Sequence, residues 1–322
     1  MTQPQPSSFL SKHAPQCPDW LIDKAIHAGG KDFVVGVVGA NSLVAMETAM
    51  QAHHANLATP HLIGDADIIR THAETLAWDI TTISITNTTD EDETVHIAAK
   101  LARDGVIHAL LKGHIHTDRF MAGILKRDHG IRGNQRLVHI FALFPLQNGK
   151  PLLISDAAVN VEPDLLTRQT MLTEMADIAR MLGQDRPRLA IISATETPIS
   201  SVPSSITARE LAEWGKANLP WADISGPLSL DLALSPDAVA IKGMTDDPVA
   251  GYADGLLMPE LTSGNVLFKS LVWFNGACAA GVVTGGKVPI MLTSRADPPA
   301  ARIASVALAA QIYFNRGGSI GK

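Results

Sequence analysis

The sequence predicts an α/β fold with three αβα layers, built on largely parallel sheets. Strand-like and helix-like segments alternate along nearly the whole chain of 322 residues, and this length corresponds to about two domains. The strand-like segments are short, aliphatic and continuous, as expected for strands that helices cover on both faces. Apolar residues make up 46% of the chain and aromatic residues only 5%, so we expect a large aliphatic core and an ordered protein.

Each predicted strand is an aliphatic run that a turn or a helix start follows. Residues 33–38 read FVVGVV, and Ser42 then provides the N-cap of a helix predicted over residues 43–54. Further strands are predicted at 106–111, 189–193, 238–241 and 289–293, and further helices near 118–126 and over 301–314. Residues 193–205 are rich in Ser, Thr and Pro and predict a long loop. The turn-rich stretch 144–151 predicts a domain junction.

Charge and composition exclude several classes of protein. The 32 Asp and Glu residues outnumber the 26 Lys and Arg residues, and the net charge of −6 argues against broad nucleic-acid binding. The two cysteines are too few for a disulfide framework. The amino-terminal residues lack the pattern of a signal peptide, and no apolar stretch reaches the length of about 18 residues that a membrane helix needs. We therefore expect a cytoplasmic protein that binds neither membrane nor nucleic acid.

Several familiar catalytic motifs are missing from the sequence. It contains no G-x-S-x-G elbow, and all 12 histidines lie at or before His139, which weakens a Ser-His-Asp hydrolase. The GVVG turn after the first strand lacks the glycine spacing of a dinucleotide loop. His114 and His116 alternate as a metal-binding pair would, but a loop histidine pair is favoured because no third ligand has recognised spacing. Small residues surround Cys278, which favours a buried filler over a nucleophile.

Two segments place charged residues at predicted strand ends, where ligands bind in open α/β sheets. Residues 111–119 (LKGHIHTDR) run from a strand end into a helix start, where backbone N–H groups, a lysine and an arginine suit a phosphate; a solvated loop is the alternative. Residues 287–299 deliver Ser294, Arg295 and Asp297 at the end of a buried strand. A hydroxyl, a permanent cation and a carboxylate at one strand tip can place, polarise and deprotonate a reacting group, whereas a helix cap explains only one of the three.

A third segment, residues 254–269, combines a strand end with a helix start. We expect the strand to end at Pro259 and the helix to open at Gly264 and Asn265. Lys269 then shares a helix face with Asn265, because the two residues are four positions apart. This arrangement suits the polar groups of a ligand, and helix capping by Asn265 beside an exposed lysine is the alternative.

These segments resemble those of the phosphate acetyl/butyryltransferase family. The run ADGLLMPELTSGNVLFKSL is similar to that family's Asp…Pro-(Asp/Glu)-Leu…Gly-Asn…Lys element, and KVPIMLTSRAD is similar to its strand-to-Ser-Arg signature. The segments SDAAVN at 155–160 and GPLSLD at 226–231 belong to the same resemblance. It covers most of residues 33–316 in the family's order.

The resemblance implies reversible transfer of an acetyl or short-chain acyl group between coenzyme A and inorganic phosphate, with no prosthetic group and no metal. By matched position, Ser294 orients the thiol or the carbonyl, and Arg295 stabilises the tetrahedral oxyanion and the phosphate. Asp297 is the nearest carboxylate to serve as the base that deprotonates the thiol. The residues assigned by the resemblance to coenzyme A and phosphate are Lys112, Thr117, Arg119, Asp254, Gly264, Asn265 and Lys269.

The resemblance also implies an architecture like that of isocitrate and isopropylmalate dehydrogenases. Residues 1–147 with 286–322 would form one domain and residues 148–285 the other, with the active-site cleft between them. A homodimer or a higher homo-oligomer is expected. Two other classes stay open: a nicotinamide- and metal-dependent decarboxylating dehydrogenase on a similar fold, and a non-catalytic relative that binds coenzyme A.

Overall fold

A computed structural model of the chain describes residues 7–126, 131–133, 135–147, 149–293 and 296–318. It shows a mixed α/β fold with a large, largely parallel sheet and helices on both sides. In chain order the strands are β1 (Val34–Val38), β2 (Thr59–Gly64), β3 (Ser84–Asn87), β4 (Ala109–Lys112), β5 (Val138–Phe144), β6 (Leu152–Ser155), β7 (Arg188–Ile192), β8 (Asp223–Leu228), β9 (Gly255–Leu257), β10 (Cys278–Thr284) and β11 (Ile290–Met291). The helices are α1 (Asp19–Ala28), α2 (Leu43–His54), α3 (Ala66–Thr75), α4 (Glu91–Arg103), α5 (Thr117–Ile124), α6 (Leu165–Met181), α7 (Pro203–Asn218), α8 (Leu230–Leu234), α9 (Pro236–Lys242), α10 (Leu261–Asn275) and α11 (Pro299–Asn315).

The chain divides into two compact units. The middle unit consists of the described parts of Met1–Gln16 and Val138–Ala279, and the flanking unit of those of Cys17–Leu137 and Ala280–Lys322. The stretch 144–151, predicted as a domain junction, joins β5 to β6, which pair antiparallel inside the middle unit. The predicted domain boundaries stay a prediction.

In the flanking unit the strand order is β3-β2-β1-β4-β11-β10. All neighbouring pairs are parallel except β10 with β11. Val38 pairs with Lys112 and Met291 with Leu111, so β1, β4 and β11 end at the same edge of the sheet. The residues that follow these three strands are therefore neighbours in space.

In the middle unit the strand order is β5-β6-β9-β7-β8. The strands β6, β9, β7 and β8 are parallel, and β5 runs antiparallel to β6. The amino end of β5 therefore lies at the same edge as the carboxyl ends of the other four strands. This edge collects the loop at residues 155–160 and the loop predicted over 193–205, which is shorter than predicted because α7 begins at Pro203.

Most of the predicted elements are confirmed, and so is the aliphatic core. The helix α2 has the predicted bounds, and the Ser42 hydroxyl accepts a hydrogen bond from the Ala45 N–H at 3.3 Å. Nearly all of α11 from Ala301 to Ile312 is buried, as expected for a mostly apolar helix, and its buried polar residues are Arg302, Ser305 and Gln311. Cys278 is buried, as predicted. None of the helices in the described part of the chain is long and apolar enough to span a membrane.

The strand predicted at 238–241 is wrong, because these residues lie in the helix α9. The residues that indicate this helix lie just outside the apolar run 238–241. The Ser235 hydroxyl accepts a hydrogen bond from the Ala238 N–H at 3.3 Å, and Pro236 occupies the first turn. Gly243 ends the helix in the left-handed region at a φ of +67°. A short apolar run does not distinguish strand from helix, and here the caps decide.

The segment after residue 254 also differs from its prediction. The strand β9 ends at Leu257, before Pro259, and α10 begins at Leu261, before Gly264. Glu260 is the N-cap, and its carboxylate accepts hydrogen bonds from the N–H groups of Thr262 at 2.6 Å and Ser263 at 2.7 Å. Asn265 therefore does not cap the helix.

Candidate active site

The loops after β1 and β4 are held against each other in the flanking unit. The His114 N–H donates to the Gly39 carbonyl at 2.8 Å. A Cβ at Gly113 would lie 2.2 Å from that carbonyl oxygen, and Gly39 itself has a φ of +75°. Both positions therefore require glycine, one for the close approach of two backbones and one for its left-handed conformation. The two loops form one fixed surface at the carboxyl edge of the sheet.

Lys112 lies at the end of β4 on this surface. Its ammonium donates to the carbonyls of Ile115 at 3.1 Å and Gly113 at 3.4 Å. Its own carbonyl accepts a hydrogen bond from the Thr293 hydroxyl, at 3.4 Å, which comes from the end of β11. The structure thus brings together the two predicted segments, 111–119 and 287–299, through Lys112 and Thr293.

The amino end of α5 presents the other predicted phosphate ligands. Thr117 and Arg119 are both exposed in its first turn, and among the described residues no side-chain hydrogen bond from His116 caps the helix. The Glu91 carboxylate lies 3.2 Å from the His116 ring and 3.8 Å from the Arg119 guanidinium. The histidine therefore contacts a carboxylate, and no group of three or more metal-ligating side chains occurs in the described residues.

Of the three predicted catalytic residues, Ser294 and Arg295 lie outside the described residues. Asp297 is described, two positions before the start of α11. It is not a helix cap, since the N-cap is Pro298 and makes no side-chain hydrogen bond. The carbonyl of Asp297 accepts a hydrogen bond from the Arg302 guanidinium at 2.6 Å.

In the middle unit, Asp156 organises the loop that follows β6. Its buried carboxylate accepts hydrogen bonds from the N–H groups of Ala158 at 2.8 Å and Val159 at 2.9 Å, and from the Asn160 amide at 2.7 Å. It also accepts a hydrogen bond from the backbone N–H of His139, at the start of β5, at 3.2 Å. A carboxylate that accepts so many donors fixes a loop, and the segment SDAAVN has this structural role here.

His139 is a buried histidine at the same sheet edge, and no role was predicted for it from the sequence. Its side chain is fully buried, and its Nδ1 has no partner in the described part of the chain. Loss of hydration lowers the pKa of this imidazole to about 4, although the nearby Asp156 carboxylate acts in the opposite direction. The ring is therefore neutral at neutral pH. In the sequence, its position inside a mainly apolar run is the feature that indicates its burial.

The residues Gly264 and Asn265 join α10 to the Asp156 loop. A Cβ at Gly264 would lie 2.2 Å from the Asp156 carbonyl oxygen, so only glycine allows this approach. The Asn265 amide donates to the Ala157 carbonyl at 2.9 Å. Lys269 is exposed one turn further along the helix. The Gly-Asn pair thus holds a loop, and its predicted contact with coenzyme A stays a prediction.

Asp254 lies at the opposite edge of the sheet in the middle unit. It precedes β9, and its carboxylate accepts the Arg188 N–H at the start of β7, at 2.9 Å. The Lys150 ammonium is 4.0 Å from the other carboxylate oxygen. The structure therefore does not bring Asp254 together with Gly264 and Asn265, and the contacts of its buried side chain are structural.

A polar cluster that was not predicted from the sequence lies beyond the carboxyl ends of β7 and β8. The Ser229 hydroxyl donates to Glu196 at 2.7 Å, and the Lys242 ammonium lies 3.0 Å from Glu196 and 3.2 Å from Asp231. The Ser229 hydrogen bond lowers the pKa of Glu196, and the two carboxylates raise the pKa of Lys242. Residues 46 positions apart form this cluster, so no local pattern predicts it.

The chain therefore has an α/β fold with cationic groups and backbone N–H groups at the carboxyl ends of parallel strands. A family model described as phosphate acetyl/butaryl transferase matches residues 91–310. A phosphate acetyltransferase of Rickettsia typhi is 35% identical over 314 residues, covering 96% of this chain and 89% of that protein. A phosphate butyryltransferase of Clostridium beijerinckii is 32% identical over 280 residues, covering 86% of this chain and 92% of that protein. A crystal structure of a branched-chain phosphotransacylase from Enterococcus faecalis matches this chain with a TM-score of 0.76 at 29% identity. The match covers 87% of this chain and 99% of that chain.

The chain belongs to the phosphate acetyl/butyryltransferase family. The predicted family and the predicted class of enzyme, an acyltransferase, are thereby confirmed. The matched span includes every predicted site residue from Lys112 to Asp297. The roles of the individual residues stay predictions.

Proposed function

We propose that this phosphate acyltransferase moves an acetyl or short-chain acyl group reversibly between coenzyme A and inorganic phosphate. The observation that carries the proposal is the family match over residues 91–310, which includes both strand-end segments of the flanking unit. The net charge of −6 describes the whole chain and does not oppose the binding of two anionic substrates, because the cations Lys112 and Arg119 lie at the proposed phosphate site.

For phosphate we propose the surface formed by Lys112 and the amino end of α5. The first N–H groups of a helix lack partners within the helix and favour an anion. The ammonium of Lys112 already points to the carbonyls of the loop that leads into α5. Thr117 and Arg119 are exposed in the first turn, where a hydroxyl and a guanidinium can donate to a phosphate.

For the chemical step we propose that a carboxylate, with Asp297 as the nearest one, removes the proton of the coenzyme A thiol. A free thiol has a pKa of about 8.5, so a base increases the thiolate fraction at neutral pH. The thiolate attacks the carbonyl carbon of the acyl phosphate, with Ser294 orienting the reacting groups. Arg295 stabilises the oxyanion of the tetrahedral intermediate, which then collapses as the carbon–oxygen bond to phosphate breaks. The products are acyl-coenzyme A and phosphate, and the base passes its proton to the departing phosphate, which leaves as hydrogen phosphate.

The reaction as written consumes no electrons and needs no prosthetic group. Gly264, Asn265 and Lys269 are proposed as contacts to coenzyme A from α10. Two domains with an architecture like that of isocitrate dehydrogenase, and a cytoplasmic location, are proposed on the resemblance described above.

We also propose that the protein is a homodimer that pairs through the exposed side of α10. This helix has one charged residue, Lys269, and only Gly264 is buried among its 15 residues. Val266 and Trp273 are 59% and 54% exposed. An exposed apolar helix face is expected to be covered, and the interfaces of homodimers are more apolar than the rest of the protein surface.

The test is an assay with the full chain, phosphate and acetyl-, propionyl- or butyryl-coenzyme A, in which thiol release is followed. We expect phosphate-dependent release, and we expect Arg295→Ala to lower kcat by about 10²–10³, the effect of losing one oxyanion donor. Arg70→Ala is the control, because this exposed arginine pairs with Asp67 on the same helix, at 2.9 Å.

Three results would contradict the proposal and separate the alternatives. No phosphate-dependent release with any of the three thioesters excludes the transferase. Formation of reduced nicotinamide from a hydroxy acid, measured by absorbance, would support the dehydrogenase. Calorimetric binding of coenzyme A without turnover would support the non-catalytic relative.

A further inference from the structure

Arg302 is a buried arginine in the second turn of α11, and the proposed reaction does not use it. Its side chain is 5% exposed. The guanidinium donates through three nitrogens to three groups: the Thr48 hydroxyl at 2.7 Å, the Asp297 carbonyl at 2.6 Å and the Glu47 carboxylate at 3.0 Å. All three partners lie in the flanking unit. The guanidinium therefore joins α2 to the backbone of Asp297, just before α11.

The acceptors of Arg302 are themselves fixed. The buried Thr48 hydroxyl donates to the Val44 carbonyl at 2.9 Å, which leaves its oxygen lone pair for the arginine. Glu47 is 38% exposed and supplies the one carboxylate of the group. A buried guanidinium with three partners is well satisfied, whereas the same cation without them would be strongly destabilising. The geometry thus points to one fixed orientation of the side chain.

Asp297, whose carbonyl accepts the hydrogen bond from Arg302, is one of the proposed catalytic residues. On the other side of Ser294 and Arg295 in the sequence, the Thr293 hydroxyl donates to the Lys112 carbonyl. In the sequence, Ser294 and Arg295 stand between these two anchored residues. Pro298 and Pro299 follow, and each proline restricts the backbone of the residue before it, so the anchor at Asp297 acts on a stiff connection.

We infer that Arg302 is a positioning residue for the acyl transfer, and that it acts by fixing the Asp297 carbonyl on α2. The inference rests on the proposed function. The position of the base and of the oxyanion donors matters most in the transition state, where they must match the developing charge, and a misplacement of about 1 Å can cost about 10² in rate. Ground-state binding of coenzyme A and phosphate depends less on that match. Loss of Arg302 is therefore expected to lower kcat more than it raises either KM.

The test compares the kcat and KM values of Arg302→Met and Arg302→Lys with those of the wild-type chain. The assays are run at a temperature well below the thermal midpoints of all three proteins. We expect Arg302→Met to lower kcat by about 30–100-fold while the KM values for acyl-coenzyme A and phosphate change by less than about threefold. Arg302→Lys keeps the charge but cannot reach three acceptors at once, so an intermediate kcat is expected. Thr48→Val, which removes one acceptor and keeps the shape, is the gentler variant if neither substitution at Arg302 folds.

The control is Arg186→Met. Arg186 also donates to a carboxylate, Asp223 at 2.8 Å, and to a backbone carbonyl, that of Pro220 at 3.0 Å, but in the middle unit near the start of β8. We expect this variant to keep its kcat. A merely structural Arg302 would lower the thermal midpoint and leave the kcat of the folded variants within about threefold of the wild type, which would overturn the inference. An inactive wild-type chain would overturn the proposed function, and the inference with it.

Discussion

At the scale of single residues, the motifs of this chain divide into those that hold loops and those that remain exposed at strand ends. Gly264 and Asn265 hold the loop of Asp156, and Asp254 joins the starts of two strands. Thr117 and Arg119 are exposed instead. A motif shared within a family therefore includes residues that position the site as well as residues that can contact a substrate.

The buried His139 predicts a pH dependence of stability. Its folded pKa, about 4, is below the ordinary value of about 6.5. As the pH falls through this window the unfolded chain binds a proton on this imidazole that the folded chain does not, so the free energy of unfolding falls. From about pH 7 to about pH 5, we expect His139 to account for a loss of about 2 kcal/mol.

The measurement is urea unfolding of the wild type and His139→Gln at the two pH values. The variant should lose less stability than the wild type on acidification, because glutamine does not titrate. His54→Gln serves as the matched control, since His54 is exposed on α2, and it should keep the wild-type dependence. Equal losses in the wild type and His139→Gln would show that the imidazole does not resist protonation.

At the scale of elements, the caps decide where the helices begin. Asp65, Asp90, Asp164 and Glu260 all accept N–H groups of the first turn of their helices. Their side chains satisfy donors that have no partner within the helix. Glu260 is informative because it belongs to the run that resembles the family, and both of its carboxylate oxygens are engaged by α10. Its role is to begin the helix that approaches the Asp156 loop.

Removal of this cap is expected to weaken the middle unit. Glu260→Ala should lower the free energy of unfolding by about 1 kcal/mol, the usual cost of losing an N-cap side chain. Glu260→Asp keeps a capping carboxylate and should lose less. Urea unfolding of the two variants checks this, and the prediction fails if alanine and aspartate have the same effect.

At the scale of the whole molecule, the uncovered apolar side of α10 predicts the oligomeric state. The proposed homodimer should sediment at twice the chain mass. Trp273→Glu should dissociate it, since burying an unpaired carboxylate in an apolar interface costs more than the contact gains. Ile241→Glu is the control: Ile241 is 86% exposed on α9, in the same unit, and its change should leave the dimer intact. A wild-type monomer at micromolar concentration would contradict the proposal.

Local signals in the sequence predicted most of the fold. The strand β1, the helix α2 and the helix α11 follow from aliphatic runs, a serine N-cap and prolines that each lie within a few residues of the element they define. The exception, α9, shows the limit of such signals, because four apolar residues fit a strand and a helix equally well. There the flanking caps outweighed the composition of the run.

The candidate site was predicted in part. Lys112 and Thr293 meet as expected, because parallel strands end at one edge. The contacts of Arg302 with Glu47 and Thr48 join positions more than 250 residues apart, and His139 meets Asp156 across a hairpin. Contacts between residues so far apart in the sequence produce no local periodicity or spacing from which they could be predicted.

The sequence by itself determined the α/β class, the family and the segments that carry its motifs, since these depend on local composition and on the order of short patterns. The tertiary structure decided which motif residues are anchors and which are exposed at strand ends. The physical reason is that a buried polar group must find a partner wherever the fold provides one. For Arg302, Asp156 and Asp254 that partner is set by packing, so their roles became visible only when the strands and helices were in place.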